Sequence, residues 1–291
     1  MSYIWFALAS ATTFGFSILL VKYISKYIIK DSSSLLFWGY VTALPFVVFI
    51  PFWQGWQFDW SFILPIFLHS LLLTSGTVFF LKGLRQTDAS IIGPLFQLQS
   101  GFIVVLAAIF LKEQHSLSLY GSLLLLTLGA MLVTVTDKSK WRGLLEPGVI
   151  SICIMQLLHA GANIAVGLAL KNTTGWQILF YSMIFNSLIS IGIALSQKQP
   201  ITLDLKKISW LFLRGFLTVL GTAFLYQAYK TNISISASFG LLSSPLVFII
   251  SLISAWLVPG LLEKQSLKTY LIRAAGMAII LFSTWLILKL R

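Results

Sequence analysis

This sequence is poor in charge. Charged side chains make up 10% of its 291 residues and apolar ones 58%, whereas a soluble domain carries about 25% charged residues. So little polar surface cannot keep a chain of this length dissolved in water. A lone cysteine, Cys153, excludes a disulfide framework within the chain. Histidine is limited to His69, His115 and His159, with no HExxH pattern and no paired acids. A metal centre or an acid–base hydrolase therefore lacks its usual side chains, and no metal is expected. The chain has no P-loop, so ATP is not used by it directly, and no organic cofactor is expected. The first apolar stretch lacks a preceding basic region and a small-residue cleavage site, so it reads as a membrane span and not as a signal peptide.

What the chain does have is apolar length. A spanning helix needs about 20 apolar residues. Ten stretches qualify: 2–21, 35–53, 62–81, 89–111, 117–135, 147–170, 176–195, 208–229, 233–257 and 270–288. The predicted fold class is an all-α integral membrane protein of ten transmembrane helices. The connections are short, and the longest polar link, Thr136 to Pro147, falls near the middle. The net charge of +12 does not point to nucleic acid, because the basic residues lie between spans, where they meet lipid head groups. Of the 20 Lys and Arg, only Lys112, Lys171, Lys230, Lys289 and Arg291 fall on even-numbered connections or the C-terminus. The positive-inside rule then places the odd connections in the cytoplasm and both termini outside. The expected location is the plasma (inner) membrane, crossed many times.

No span holds a carboxylate. Asp31, Asp59, Asp88, Glu113, Asp137, Glu146, Asp204 and Glu263 all fall at span ends or in connections. A carrier that trades protons for cationic drugs usually needs an intramembrane acid. A neutral, zwitterionic or anionic ligand is expected instead, and if protons are coupled, His69 or His159 is the group to titrate.

The chain also repeats itself. Gly76-Thr77-Val78-Phe79-Phe80 returns as Gly221-Thr222-Ala223-Phe224-Leu225, and Glu113-Gln114-His115-Ser116-Leu117 returns as Glu263-Lys264-Gln265-Ser266-Leu267. The expected units are residues 1–140 and 141–291, each of five spans, together forming one transport domain. An odd number of spans forces the second copy to insert upside down, the inverted-repeat design that builds a site at the membrane midplane.

Polar side chains inside spans usually face the bundle interior. In the sixth span Gln156, His159 and Asn163 form one helical stripe, and the repeat partners in the first span are Ser10, Thr13 and Ser17. Two symmetry-related cavity walls or interhelical hydrogen bonds both account for the stripe. His69 and Arg214 are likewise related by the repeat; Arg214 is either a counter-charge for a carboxylate or phosphate, or a cation that snorkels to the head groups. Gln97 in the fourth span and Ser243 in the ninth complete the candidate substrate-binding set. Tyr226 closes the eighth span, at the mouth of such a site or at the membrane interface. The Pro and Gly of spans four and nine suit a moving gate or kinks for packing.

The pattern resembles the drug/metabolite transporter superfamily, of the EamA type. The resemblance rests on two five-span repeats, on Leu84-Arg85-Gln86-Thr87-Asp88-Ala89-Ser90 with Glu113 in the first half, and on Tyr229-Lys230-Thr231-Asn232-Ile233-Ser234 with Glu263 in the second; Gly121 and Gly129 resemble the family's fifth-span glycines. The second half departs from it at Val258-Pro259-Gly260, before the glutamate. The resemblance implies a basket-shaped bundle with a central cavity drawn from spans one, three, four, six, eight and nine, with spans five and ten peripheral. It implies no enzyme but a secondary transporter of small metabolites such as amino acids, working by alternating access in the lipid bilayer as a monomer or homodimer. The alternatives are a lipid-carrier flippase and an exporter of amines or drugs.

Overall fold

The computed structural model describes residues 2–87, 91–92, 95–96, 98–110, 116–133, 145–196, 208–229 and 266–289. These residues are almost entirely helical. In chain order the helices are α1 (Ser2–Tyr27), α2 (Ser32–Val41), α3 (Ile50–Gln54), α4 (Trp60–Gln86), α5 (Leu98–Phe110), α6 (Leu117–Val133), α7 (Pro147–Ala169), α8 (Gly175–Ser196), α9 (Ile208–Tyr229) and α10 (Leu267–Lys289). Six of them are long and apolar enough to cross a membrane, namely α1, α4, α7, α8, α9 and α10.

The second stretch, read above as one span over 35–53, is broken. Helix α2 stops at Val41, a single 3-10 turn covers Leu44–Phe46, and α3 follows. Pro45 and Pro51 explain the break, because each lacks the N–H that a continuous ladder requires and each sits in the first turn of a new short helix. Gly55 then ends α3 with φ of 73°, a left-handed value that glycine adopts freely. In the fourth stretch Ile91, Ile92 and Leu95 are helical, Phe96 is in a turn, and a continuous helix follows from Leu98; Gly93, Pro94 and Gln97 lie outside the described residues, as does the whole ninth stretch with Ser243.

Two acidic residues, Asp59 and Asp31, cap helices, whereas Glu146 at the start of α7 makes no capping hydrogen bond through its side chain. The Asp59 carboxylate accepts from the Ser61 amide at 2.8 Å at the start of α4. That of Asp31 accepts from the Ser34 amide and the Ser33 hydroxyl, each at 2.6 Å, at the start of α2. Burial raises the pKa of Asp31, but these hydrogen bonds outweigh it and hold the carboxyl below its ordinary value.

Three helix pairs dominate the packing: α4 with α7, α1 with α9, and α6 with α10. The last pair approaches through glycine. A Cβ on Gly129 would sit 2.9 Å from the Gly276 carbonyl oxygen, and one on Gly276 would sit 2.8 Å from the Gly129 carbonyl oxygen. Small residues of this kind let backbones meet inside lipid, where apolar burial gives no net drive between helices. Helix α8 packs on α2, α3, α4 and α9. Many large apolar side chains, such as Phe52, Leu64, Leu124 and Leu195, point outward from this bundle, as expected of a surface that faces lipid.

Candidate functional site: a cavity with an arginine at one end

Helices from both halves line a partly open cavity of about 260 Å³. It is bounded by α1, α2, α4, α7, α8 and α9, together with Phe96 and Gln99. Helices α6 and α10 contribute nothing to it among the described residues.

The structure brings six of the sequence-selected residues to this cavity: Ser17, His69, Gln156, His159, Asn163 and Arg214. Ser10 and Thr13 do not reach it. Ser10 is fully buried and its hydroxyl donates to the Gly221 carbonyl at 2.9 Å, tying α1 to α9. The Thr13 hydroxyl donates back to its own helix, at the Ala9 carbonyl, 2.8 Å away. Ser10 thus holds two helices together, the reading left open above for the stripe, while Thr13 is satisfied within its own helix. Gln97 and Ser243 fall outside the described residues.

Arg214 does not snorkel. It is only 7% exposed and its guanidinium is held beside α2, where Nη1 donates to the Leu35 carbonyl at 2.6 Å. Gly39 makes the space. A Cβ there would lie 2.2 Å from Nη1. Tyr40, the next residue, also lines the cavity; its hydroxyl lies 2.9 Å from that of Thr77. The Thr77 hydroxyl donates to the Leu73 carbonyl at 2.8 Å, so the Tyr40 hydroxyl is the donor of the pair.

The other end of the cavity is built around His69. A carbonyl only accepts, so Nδ1–H of His69 donates to the Ala162 oxygen at 3.0 Å. Nε2 is then the acceptor for the Tyr226 hydroxyl, 2.9 Å away. Tyr229 lies alongside, its ring centroid 6.2 Å from that of Tyr226. Arg214 and Tyr226 stand twelve positions apart on α9, roughly 18 Å at 1.5 Å per residue. The cavity is therefore elongated, with a cation at one end and an imidazole–phenol pair at the other.

Between the ends lie Gln156 and His159. Nε2–H of His159 donates to the Leu73 carbonyl at 3.3 Å, and the ring rests against Gly76, where a Cβ would come within 2.5 Å of Cδ2. Nε2 of Gln156 is buried and has no hydrogen-bond partner among the described residues. A buried amide donor left unmade costs about 1–3 kcal/mol, which favours any occupant that offers it an acceptor. The remaining walls mix apolar and aromatic side chains, including Phe14, Ile18, Val21, Phe80, Phe96 and Met183, with the polar Ser17, Gln99, Asn163, Thr218 and Thr222.

No carboxylate lines the cavity among the described residues. Sequence reasoning missed Tyr40, Gln99 and Tyr229. Tyrosines in an apolar stretch look like interfacial anchors, and Gln99 sits on the opposite helical face from Gln97, so nothing in the pattern singled them out. The repeat offered one signal: shifted by 146 positions, Tyr40 falls on Asn186, and the Asn186 side-chain oxygen accepts from Thr74 at 3.1 Å on the same helix, α4, that Tyr40 reaches.

Residues 1–135 match the model of the EamA-like transporter family. No curated protein matches the chain. Among solved structures, 28 chains match. One of them, described only as a crystal structure of a protein, aligns with a TM-score of 0.60 at 14% identity over 95% of this chain and 96% of that one. At that identity the likeness speaks for the fold alone. Residues 1–135 are thus EamA-like, consistent with the drug/metabolite transporter superfamily, and six of the described helices have the length and apolar composition of membrane spans.

Proposed function

We propose that this protein is a secondary transporter in the plasma membrane that moves small neutral, zwitterionic or anionic metabolites, such as amino acids, by alternating access of two inverted halves, residues 1–140 and 141–291. The cavity between α1, α2 and α4 of the first half and α7, α8 and α9 of the second carries this reading. A site shared by both halves is what alternating access requires, since rocking one half against the other opens it to each side in turn.

The helix pairing supports the inverted repeat. A shift of about 145 positions turns the α4–α7 pair, spans three and six, into spans eight and one, which is the α9–α1 pair. The same shift maps the α6–α10 pair, spans five and ten, onto itself. Two-fold exchange of this kind follows from a pseudo-axis in the membrane plane.

Substrate-binding roles are assigned to Ser17, His69, Gln156, His159, Asn163 and Arg214, all on the cavity. Counterflow into proteoliposomes preloaded with pooled amino acids, nucleosides, sugars, organic acids and amines tests the proposal. Specific accumulation of one class, abolished by His159→Ala or Asn163→Ala with the protein still monodisperse, is the expected result. Absence of counterflow for every pool, or flipping of labelled phospholipid in its place, overturns it.

A further inference from the structure

We propose that the cavity binds an organic monoanion, a carboxylate with an apolar or aromatic body and no positive charge, with its carboxylate held by Arg214. This narrows the transporter reading to its anionic substrates, setting zwitterionic amino acids aside, and rests on that reading for the role of the site, although its binding test does not.

The inference starts from charge balance. Arg214 is more than nine-tenths buried within a spanning helix, and among the described residues its guanidinium makes one hydrogen bond, to the Leu35 carbonyl. A carbonyl neutralises no charge. No acidic residue lines the cavity among the described residues, and the sequence places no Asp or Glu inside any apolar span. A buried cation without a counter-ion is unfavourable, and an anion in the cavity relieves it. The guanidinium has the planar fork that matches a carboxylate in two parallel bonds.

Balance also decides against the other charge types. An ammonium group would find no carboxylate among the described lining residues, only neutral acceptors such as the Gln99 and Asn163 amides and aromatic faces, so a zwitterion or an amine leaves a positive charge without a counter-ion. A phosphate monoester brings two negative charges to one guanidinium. A neutral solute leaves Arg214 as it was. The apolar part of the walls includes Phe14, Phe80, Phe96 and Met183, which suit an apolar body, and Gln156, whose buried Nε2 has no partner among the described residues, belongs to the same lining.

The test is a series on one skeleton: phenylacetate, phenylacetamide, phenylalanine, phenethylamine and phenyl phosphate, with 4-methylpentanoate as a second monoanion. Affinities are measured on purified full-length protein in nanodiscs. Phenylacetate or 4-methylpentanoate is expected to bind about tenfold or more tighter than the amide, the zwitterion, the amine and the phosphate. Arg214→Gln is expected to remove that preference. Arg214→Lys keeps the charge, so it guards against a folding failure, and it loses the fork, so binding falls by about three- to tenfold. Gly39→Ala displaces the guanidinium without altering it and is expected to weaken the monoanions selectively. Equal or tighter binding of the zwitterion or amine, unchanged selectivity in all three variants, or no binding of either monoanion overturns the proposal. Counterflow separates this from the transporter reading. Selective binding with no counterflow of the bound monoanion leaves the site standing and removes transport, whereas counterflow of zwitterions without monoanion selectivity does the reverse.

Discussion

The Tyr226 hydroxyl donates to Nε2 of His69 across 2.9 Å, and the far side of the same imidazole donates to the Ala162 carbonyl at 3.0 Å. His69 stands on α4 in the first half, while Tyr226 and Ala162 stand on α9 and α7 in the second. One ring thus links three helices and joins the two halves at one end of the cavity. Any rocking of the halves must break one of these bonds or carry it along, which makes the pair the natural place to look for a gate.

Tyr226→Phe removes the donor and leaves His69 with an unmade acceptor. Hydrogen bonds between membrane helices are worth about 0.6 kcal/mol on average and up to about 2. Reversible unfolding in micelles is expected to show a loss within that range, while transport changes by a larger factor because the conformational equilibrium shifts. Unaltered stability together with unaltered transport would mean that the contact holds nothing.

Gln156→Met separates folding from function by opposite signs. The substitution nearly conserves volume and deletes a buried donor that has no partner among the described residues. Stability should hold or rise by about 1–2 kcal/mol. Solute binding should weaken, because Gln156 belongs to the lining of the cavity that the solute fills. A clear loss of stability would show that the amide serves the helix bundle.

Gly76→Ala would place a methyl 2.5 Å from Cδ2 of His159. The ring must then move out of its hydrogen bond to Leu73. Overpacking of this kind costs about 1–3 kcal/mol. In the double variant with His159→Ala the clash has no second partner, so the combined loss is expected to be smaller than the sum of the single losses by about 0.5 kcal/mol or more. Strict additivity in a thermal-unfolding cycle would refute the contact.

The long apolar helices were legible because apolar length is a strong, local signal: six of the ten expected spans are helices of membrane-crossing length among the described residues. The site was legible in part. Polar residues in a lipid-facing stretch stand out, and helical spacing put Gln156, His159 and Asn163 on one face, which is the face that meets the cavity. Spacing cannot say how deep that face lies. Ser10 and Ser17 share a stripe on α1, yet Ser10 faces the α9 backbone and Ser17 faces the cavity. Arg214 was ambiguous for the same reason: whether its head reaches lipid or cavity depends on Gly39, a residue 175 positions earlier that leaves room for the guanidinium. The broken second span followed from Pro45 and Pro51, and the apolar count overrode them. In a membrane helix proline is tolerated often enough that its presence alone does not mark a break.

Gly129→Ala and Gly276→Ala probe the peripheral pair. Each added methyl would approach the facing helix at a carbonyl oxygen, 2.9 or 2.8 Å away, and backbone cannot turn aside as a side chain can. Helices α6 and α10 must separate, at about 1–3 kcal/mol. Neither helix lines the cavity among the described residues, so transport per folded molecule should stay within about twofold of the parent. Loss of transport at full stability would mean that this pair takes part in the conformational change.

Orientation can be read with single cysteines. Cys153 is the one native thiol, so Cys153→Ala gives a background without cysteine. Lys30 lies between α1 and α2, and Asn172 between α7 and α8; both are exposed. They fall at opposite ends of the bundle. Antiparallel contacts between α4 and α7 put the start of α7 at the end of α4, and Lys22 near the end of α1 donates to the Leu84 and Thr87 carbonyls at that same end. The Lys and Arg bias predicts that Lys30 faces the cytoplasm and Asn172 the outside. A membrane-impermeant maleimide on intact cells should therefore label Asn172→Cys at once and Lys30→Cys only after permeabilisation. The reverse pattern would put both termini in the cytoplasm and would turn the Arg214 end of the cavity outward, so that the site would present its cation first to external anions.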